Sequence, residues 1–253
     1  MPASARRHDE SVSPSRRVAL PVDPAPLLAD VWRRTVAGIG GEPDAGTRAA
    51  AAAELASQLA EAARVLARPG RASGARTLAE YLAAIRATGP ALRPDDASPH
   101  ALLQLVDEAT GALGTAKTGV VEGPAGPVER QVFLEERLIA AVALGRDLSD
   151  PLVPEHALVR LVVRLLARAL AELAPGRSVE LRIPPHVAVQ CVEGPRHTRG
   201  TPPNVVEVEP VAFLELATGR RSWESGVTSG LLRASGERAD LRPWLPLVDS
   251  RIT

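Results

Sequence analysis

One cysteine in 253 residues, Cys191, excludes an intramolecular disulfide framework and any metal site built from several cysteines. It lies in the apolar run HVAVQCV, the setting of a buried structural thiol rather than of a nucleophile. Lysine is as scarce: Lys117 stands alone, and arginine carries the rest of the positive side-chain charge. That bias reads as the composition of a GC-rich coding sequence rather than as a phosphate-binding surface. Net charge is missing too. The 30 basic and 30 acidic side chains cancel, so nothing favours bulk binding to nucleic acid or electrostatic attachment to an anionic membrane. Stable membrane insertion is not expected, because no run reaches the ~18 to 20 apolar residues of a span. The opening MPASARRHDESVSPSRR is polar and lacks the apolar core of a secretory signal. Residues 1–22 are expected to form a disordered tail, and the protein to be cytoplasmic.

What the chain does contain is ordered apolar periodicity. Asp23 caps a first helix, with Pro24 in its first turn and Leu27, Leu28, Val31, Trp32 and Val36 at helical spacing. TRAAAAAELASQLAEAARVLARPG is a second helix with a Pro-Gly stop, and TLAEYLAAIRATG a third. SPHALLQLVDEATGAL is a fourth, capped by Ser98 and opened by Pro99. A loop containing EGPAGPVER leads to a fifth, VERQVFLEERLIAAVALGRDL, with Leu134, Leu138, Ala141 and Val142 on its apolar face. PEHALVRLVVRLLARALAELAPG is a sixth. Beyond Gly176 the period switches from helical to alternating. SVELRIP, HVAVQCVEG, NVVEVEP and LLRASG read as strands, with short helices at PVAFLELATG and SWESGVTSG. The fold class is therefore α+β: a helical bundle over residues 23–150, then a sheet-containing domain over residues 151–253.

The stretch GPRHTRGTPPNVVEVEP, residues 194–210, sets Arg196, His197 and Arg199 among glycines and prolines between two strands. It reads as a shaped hairpin connection with solvated arginines, as a grip on a carboxylate or phosphate headgroup, or as a loop with a catalytic His197. The three readings differ in chemistry. A catalytic histidine needs an acid or nucleophile within hydrogen-bond reach, and none is placed by the sequence. His100 and His156 fall in the first turns of their helices, as surface residues.

The run VEPVAFLELATGRRSWESGVTSGLLRASGERADLRPWLPLV resembles the sterol carrier protein 2 family. Phe213, Leu214, Leu216, Thr218 and Gly219 match its helix, and Gly230, Leu232, Ala234 and Gly236 match the strand that follows. VELRIPPHVAVQCVEGPRHTRGTPPNVVE and RASGERADL resemble its actinobacterial branch, the bacterial sterol carrier family proteins. The resemblance covers about residues 155–248. It implies a twisted, mainly antiparallel sheet covered by helices, often around an apolar cavity for lipid-like ligands. Val189, Val206, Phe213, Leu216, Val227 and Leu232 are the candidate cavity residues, and Arg196, His197 and Arg199 the candidate anion contacts.

The helical half resembles the DinB-like bundle of the mycothiol-dependent maleylpyruvate isomerase family. That resemblance implies three ligands to a divalent metal. Here Gln58, Ala140 and Leu144 stand at those positions. Two of the three side chains offer no donor atom, so no metal, no cofactor and no catalytic residues are expected. The expected function is binding of a lipid or other apolar small molecule without catalysis, and nucleic acid is not an expected partner. The alternatives are a thiol-dependent isomerase or transferase with a remodelled site, and a ligand-free interaction module.

Overall fold

The computed structural model describes residues 23–68, 70, 76–88, 97–115, 119–148, 156–194 and 204–248. The tail, residues 1–22, and the expected domain boundary near Pro151 lie outside them. The helical half consists of α1 (Pro24–Gly41), α2 (Ala45–Leu66), α3 (Leu78–Thr88), α4 (Pro99–Thr115) and α5 (Arg130–Gly145). Their starts are set by short polar side chains. Asp23 accepts from the Ala25 amide at 3.0 Å and Asp44 from the Thr47 amide at 2.7 Å. Ser98 accepts from Ala101 at 3.3 Å, and each bond satisfies a first-turn amide that the helix itself leaves free.

One element was read differently from the sequence. Where a loop and the start of α5 were expected, the chain forms a hairpin, β1 (Val120–Gly123) and β2 (Gly126–Glu129). Gly126 has φ +97°, which lets two residues, Pro124 and Ala125, reverse the chain. Val121 and Val128 pair across the hairpin and are buried. Their burial extends the strand through Glu129, so α5 starts at Arg130.

The second half runs α6 (His156–Leu173), β3 (Val179–Ile183), β4 (Val187–Cys191), β5 (Val205–Val208), α7 (Pro210–Ala217), α8 (Trp223–Thr228), β6 (Leu232–Ser235) and a 3-10 turn at Arg242–Trp244. The strand order is β4-β3-β5-β6. β3–β4 and β5–β6 are antiparallel and β3–β5 is parallel. Chain reversal with period 2 puts Val179, Leu181, Ile183, Val206, Val208 and Leu232 on one buried face. Glu180, Arg182, Glu207 and Arg233 lie on the other face, where Arg182 pairs with Glu180 at 2.8 Å. α6 lies against β4 and α7, and also against α3, so the buried apolar residues of both halves form one continuous core.

This topology corrects the hairpin expected at residues 194–210. β4 and β5 are not neighbours, since both flank β3. Cys191, at the end of β4, pairs with Val179, and Val205, at the start of β5, pairs with Glu180, so the connection between these strands begins and ends at the Val179 end of β3. Its two ends are pinned there: Ser178 Oγ donates to the Val192 carbonyl at 2.9 Å, and Asn204 Nδ2 donates to the Ser178 carbonyl at 2.8 Å.

Side chains also tie the two halves together. Arg220 makes a two-pronged bond to Asp147, Nε at 2.8 Å and Nη2 at 2.5 Å. Arg146 reaches Glu215 at 3.2 Å, and Arg221 reaches the same carboxylate at 2.7 Å. Burial outweighs Arg220 at Asp147 and holds its carboxyl above the usual range.

Candidate functional site

The expected ligand face of the sheet is a packed interior. Val206, Phe213, Leu216 and Leu232 are each 3% exposed or less and belong to the common core. α7 brings Phe213, Leu214 and Leu216 onto that core because Pro210 opens the helix in its first turn and Phe213 follows one turn later. A buried phenylalanine or leucine is worth about 1.5–3 kcal/mol, so these residues serve stability whether or not a ligand enters. Val189 is half-buried on β4. Val227 does not join the group: it is 47% exposed on α8, whose six residues turn only Gly226 fully inward. Arg196, His197 and Arg199 lie outside the described residues. Cys191 is buried on the inner face, and burial pushes its thiol up to about 11, far from a reactive thiolate. His100 and His156 are exposed in the first turns of α4 and α6.

At the three positions compared with the metal-binding family, Gln58 is 3%, Ala140 5% and Leu144 0% exposed. Gln58 Nε2 donates to Glu54 Oε1 at 3.0 Å, and its Oε1 has no partner among the described residues. Among the described residues, no three histidine, cysteine, aspartate or glutamate side chains come together as a metal-holding group.

The bundle interior also holds charges. Every residue of α5 from Phe133 to Gly145 is buried, because the helix is enclosed by α1, α2, α3 and the hairpin. Glu135, Glu136 and Arg137 are buried with it. Arg137 donates to Glu136 at 2.5 and 2.6 Å and to Glu61 of α2 at 2.8 Å. Its guanidinium lies 5.7 Å from the Phe133 ring centroid. Two carboxylates share one guanidinium. The cation is therefore over-stabilised and Arg137 is pushed up, while burial pushes the Glu136 carboxyl above its usual value. Tyr81 is wholly buried, its hydroxyl has no partner among the described residues, and burial raises it further. A Cβ at Gly123 would overlap that hydroxyl. The EER triplet amid apolar residues is the signal that would have found this cluster.

The bundle also contains a cleft of about 300 Å³ between α1, α2 and the start of α4. Ile39, Ala52 and Leu102 form its buried floor. Ala45, Ala49 and Arg48 lie on its exposed rim. The space exists because α2 presents alanines at i, i+4 and i+7 where longer side chains would meet α1 and α4. The alanine-rich composition of this helix was visible in the sequence; which alanines face a gap was not.

No helix among the described residues is long and apolar enough to cross a membrane. No curated protein matches the chain in sequence. Among solved structures, the crystal structure of the mycothiol-dependent maleylpyruvate isomerase is similar at 16% identity and TM-score 0.48, over 84% of this chain and 90% of that one. A histidine-to-alanine mutant of that isomerase is similar at 19% identity and TM-score 0.44, with the same coverage. Residues 155–247, from the start of α6 to the end of the sheet-containing half, match the family model described as bacterial SCP ortholog.

Proposed function

We propose that the protein binds a lipid or other apolar small molecule, without catalysis, through residues 155–248. The observation that carries this reading is the match of residues 155–247 to the SCP, or sterol carrier protein, family. A sheet with one apolar face, with α6 against β4 and α7 against α6, supports it chemically. The ligand would enter by displacing α7 from the shared core, with Val206, Phe213, Leu216 and Leu232 as its apolar contacts. Cys191 is buried and burial raises its thiol, which does not suit a nucleophile.

A second reading, a ligand-free interaction module, is favoured by the closed packing of those same four residues. Titration of delipidated protein with a fluorescent long-chain fatty acid separates the two. The carrier reading expects saturable binding at one molecule per chain, displaced by unlabelled fatty acid. It also expects Leu216→Trp to weaken binding at least tenfold while the fold is retained. Absence of saturable binding across fatty acids, sterols and long-chain alcohols would leave the interaction module standing.

A further inference from the structure

We infer that the cleft between α1, α2 and α4 is a binding site for a short amphipathic monoanion, a medium-chain carboxylate seated tail-inward with its headgroup on Arg48. Its described lining runs from Val36 to Leu102, and the inference is independent of the function proposed for residues 155–248.

Three observations converge on this ligand. The first is size. A space of about 300 Å³ holds about ten non-hydrogen atoms at roughly 30 Å³ each, within the range of small-molecule pockets. The second is the lining. Its floor of Ile39, Ala52 and Leu102 has no side-chain polar atom, so it accepts an alkyl chain and gives a polar body nothing to bond. The third is the position of the one charge in the lining among the described residues. Arg48 is fixed by two backbone carbonyls: Nε donates to Glu42 at 2.9 Å and Nη2 to Pro43 at 3.2 Å. These bonds hold the guanidinium on the rim without neutralising it, and its Nη1 has no partner among the described residues. A planar guanidinium with a free edge matches a carboxylate. Two carboxylates neighbour Arg48: Glu42 Oε1 accepts from the Asp44 amide at 3.1 Å, and Asp44 accepts from the Thr47 amide that it caps and is held below the usual range mainly by that bond. Asp44 is fully exposed, so solvent screens its competition for Arg48.

The test is calorimetric titration of the full chain with octanoate and with octan-1-ol. Octanoate is expected to bind at one site per chain and at least tenfold more tightly than the alcohol. Arg48→Met is expected to remove that preference, weakening octanoate about tenfold and leaving the alcohol unchanged. Ala49→Phe fills the cleft and is expected to abolish both. Gly40→Leu serves as a second obstruction, since Gly40 lines the cleft and a Cβ there meets nothing within 4 Å. Long-chain fatty acid binding by residues 155–248 is expected to survive all three changes. Three results would overturn the inference: no octanoate binding at millimolar concentration, equal affinity for acid and alcohol, or octanoate binding that persists in both obstructed variants. The first two leave the reading of residues 155–248 untouched, and the third moves octanoate to a site outside the cleft.

Discussion

Arg137→Met lowers the unfolding free energy by about 3–5 kcal/mol, because it leaves the buried Glu136 carboxylate without its cation and Glu61 with only a 3.8 Å contact to Arg64. Side-chain exposure is 8% for Arg137, 2% for Glu136 and 6% for Glu61, so water does not replace the lost partner. In a chain of this length that loss corresponds to a melting temperature lower by about 6–20 °C. Removing the charges together tests the cause. Glu61→Gln and Glu136→Gln, added to Arg137→Met, are expected to recover more than half of the loss, since a buried ionic group exchanged for neutral groups costs little. A loss under about 1 kcal/mol for Arg137→Met alone would mean that the carboxylates are not held ionised in the bundle.

The same cluster sets a pH dependence. Burial raises Glu136 above its usual 4.5 in the native state. Between 4.5 and the native value the folded chain therefore binds more protons than the unfolded chain. Stability contributed at this site is highest in acid, falls as pH rises through that window, and is flat above it. Glu136→Gln is expected to flatten this part of the profile, measured by urea midpoints at several pH values.

Gly176→Ala costs about 2–4 kcal/mol, by backbone overlap and strain together. Gly176 joins α6 to β3 with φ +150°, and a Cβ there would overlap the Val192 carbonyl. Neither side can retreat. The Val192 amide donates to Ala174 at 2.7 Å, and its carbonyl accepts from the Ser178 amide at 3.0 Å. Gly230→Ala is the control. Gly230 has φ +74° but an added Cβ meets nothing within 4 Å, so only the left-handed backbone cost of about 1–2 kcal/mol is expected. Equal losses for the two substitutions would show that the crossing at Val192 is not tight.

The periodic parts of this fold were legible in the sequence because local rules dominate them. Asp23, Ser98 and Pro99 mark helix starts, and the alternation in VELRI and VVEV marks which side chains face the core. The hairpin at Val120–Glu129 was obscured because its eight strand residues include two glycines and a proline, which read as loop. Burial of Glu135, Glu136 and Arg137 was missed because the pattern of α5 suggests one apolar face, whereas its neighbours enclose it on every side. The parallel pairing of β3 with β5 and the gap at Ala45, Ala49 and Ala52 depend on which elements meet, and no local pattern encodes that. Val227 shows the reverse error: i, i+4 spacing with Trp223 placed it inward, but a six-residue helix has no second turn to bury.

The central claim, that residues 155–248 carry an apolar small molecule, is tested most directly by native mass spectrometry of the purified full chain with the released compounds identified. The account predicts a population heavier than the bare chain by the mass of one lipid-like molecule, released on denaturation and restored when that compound is added back. A bare-chain mass throughout, unchanged after incubation with fatty acids, sterols and long-chain alcohols, would contradict it.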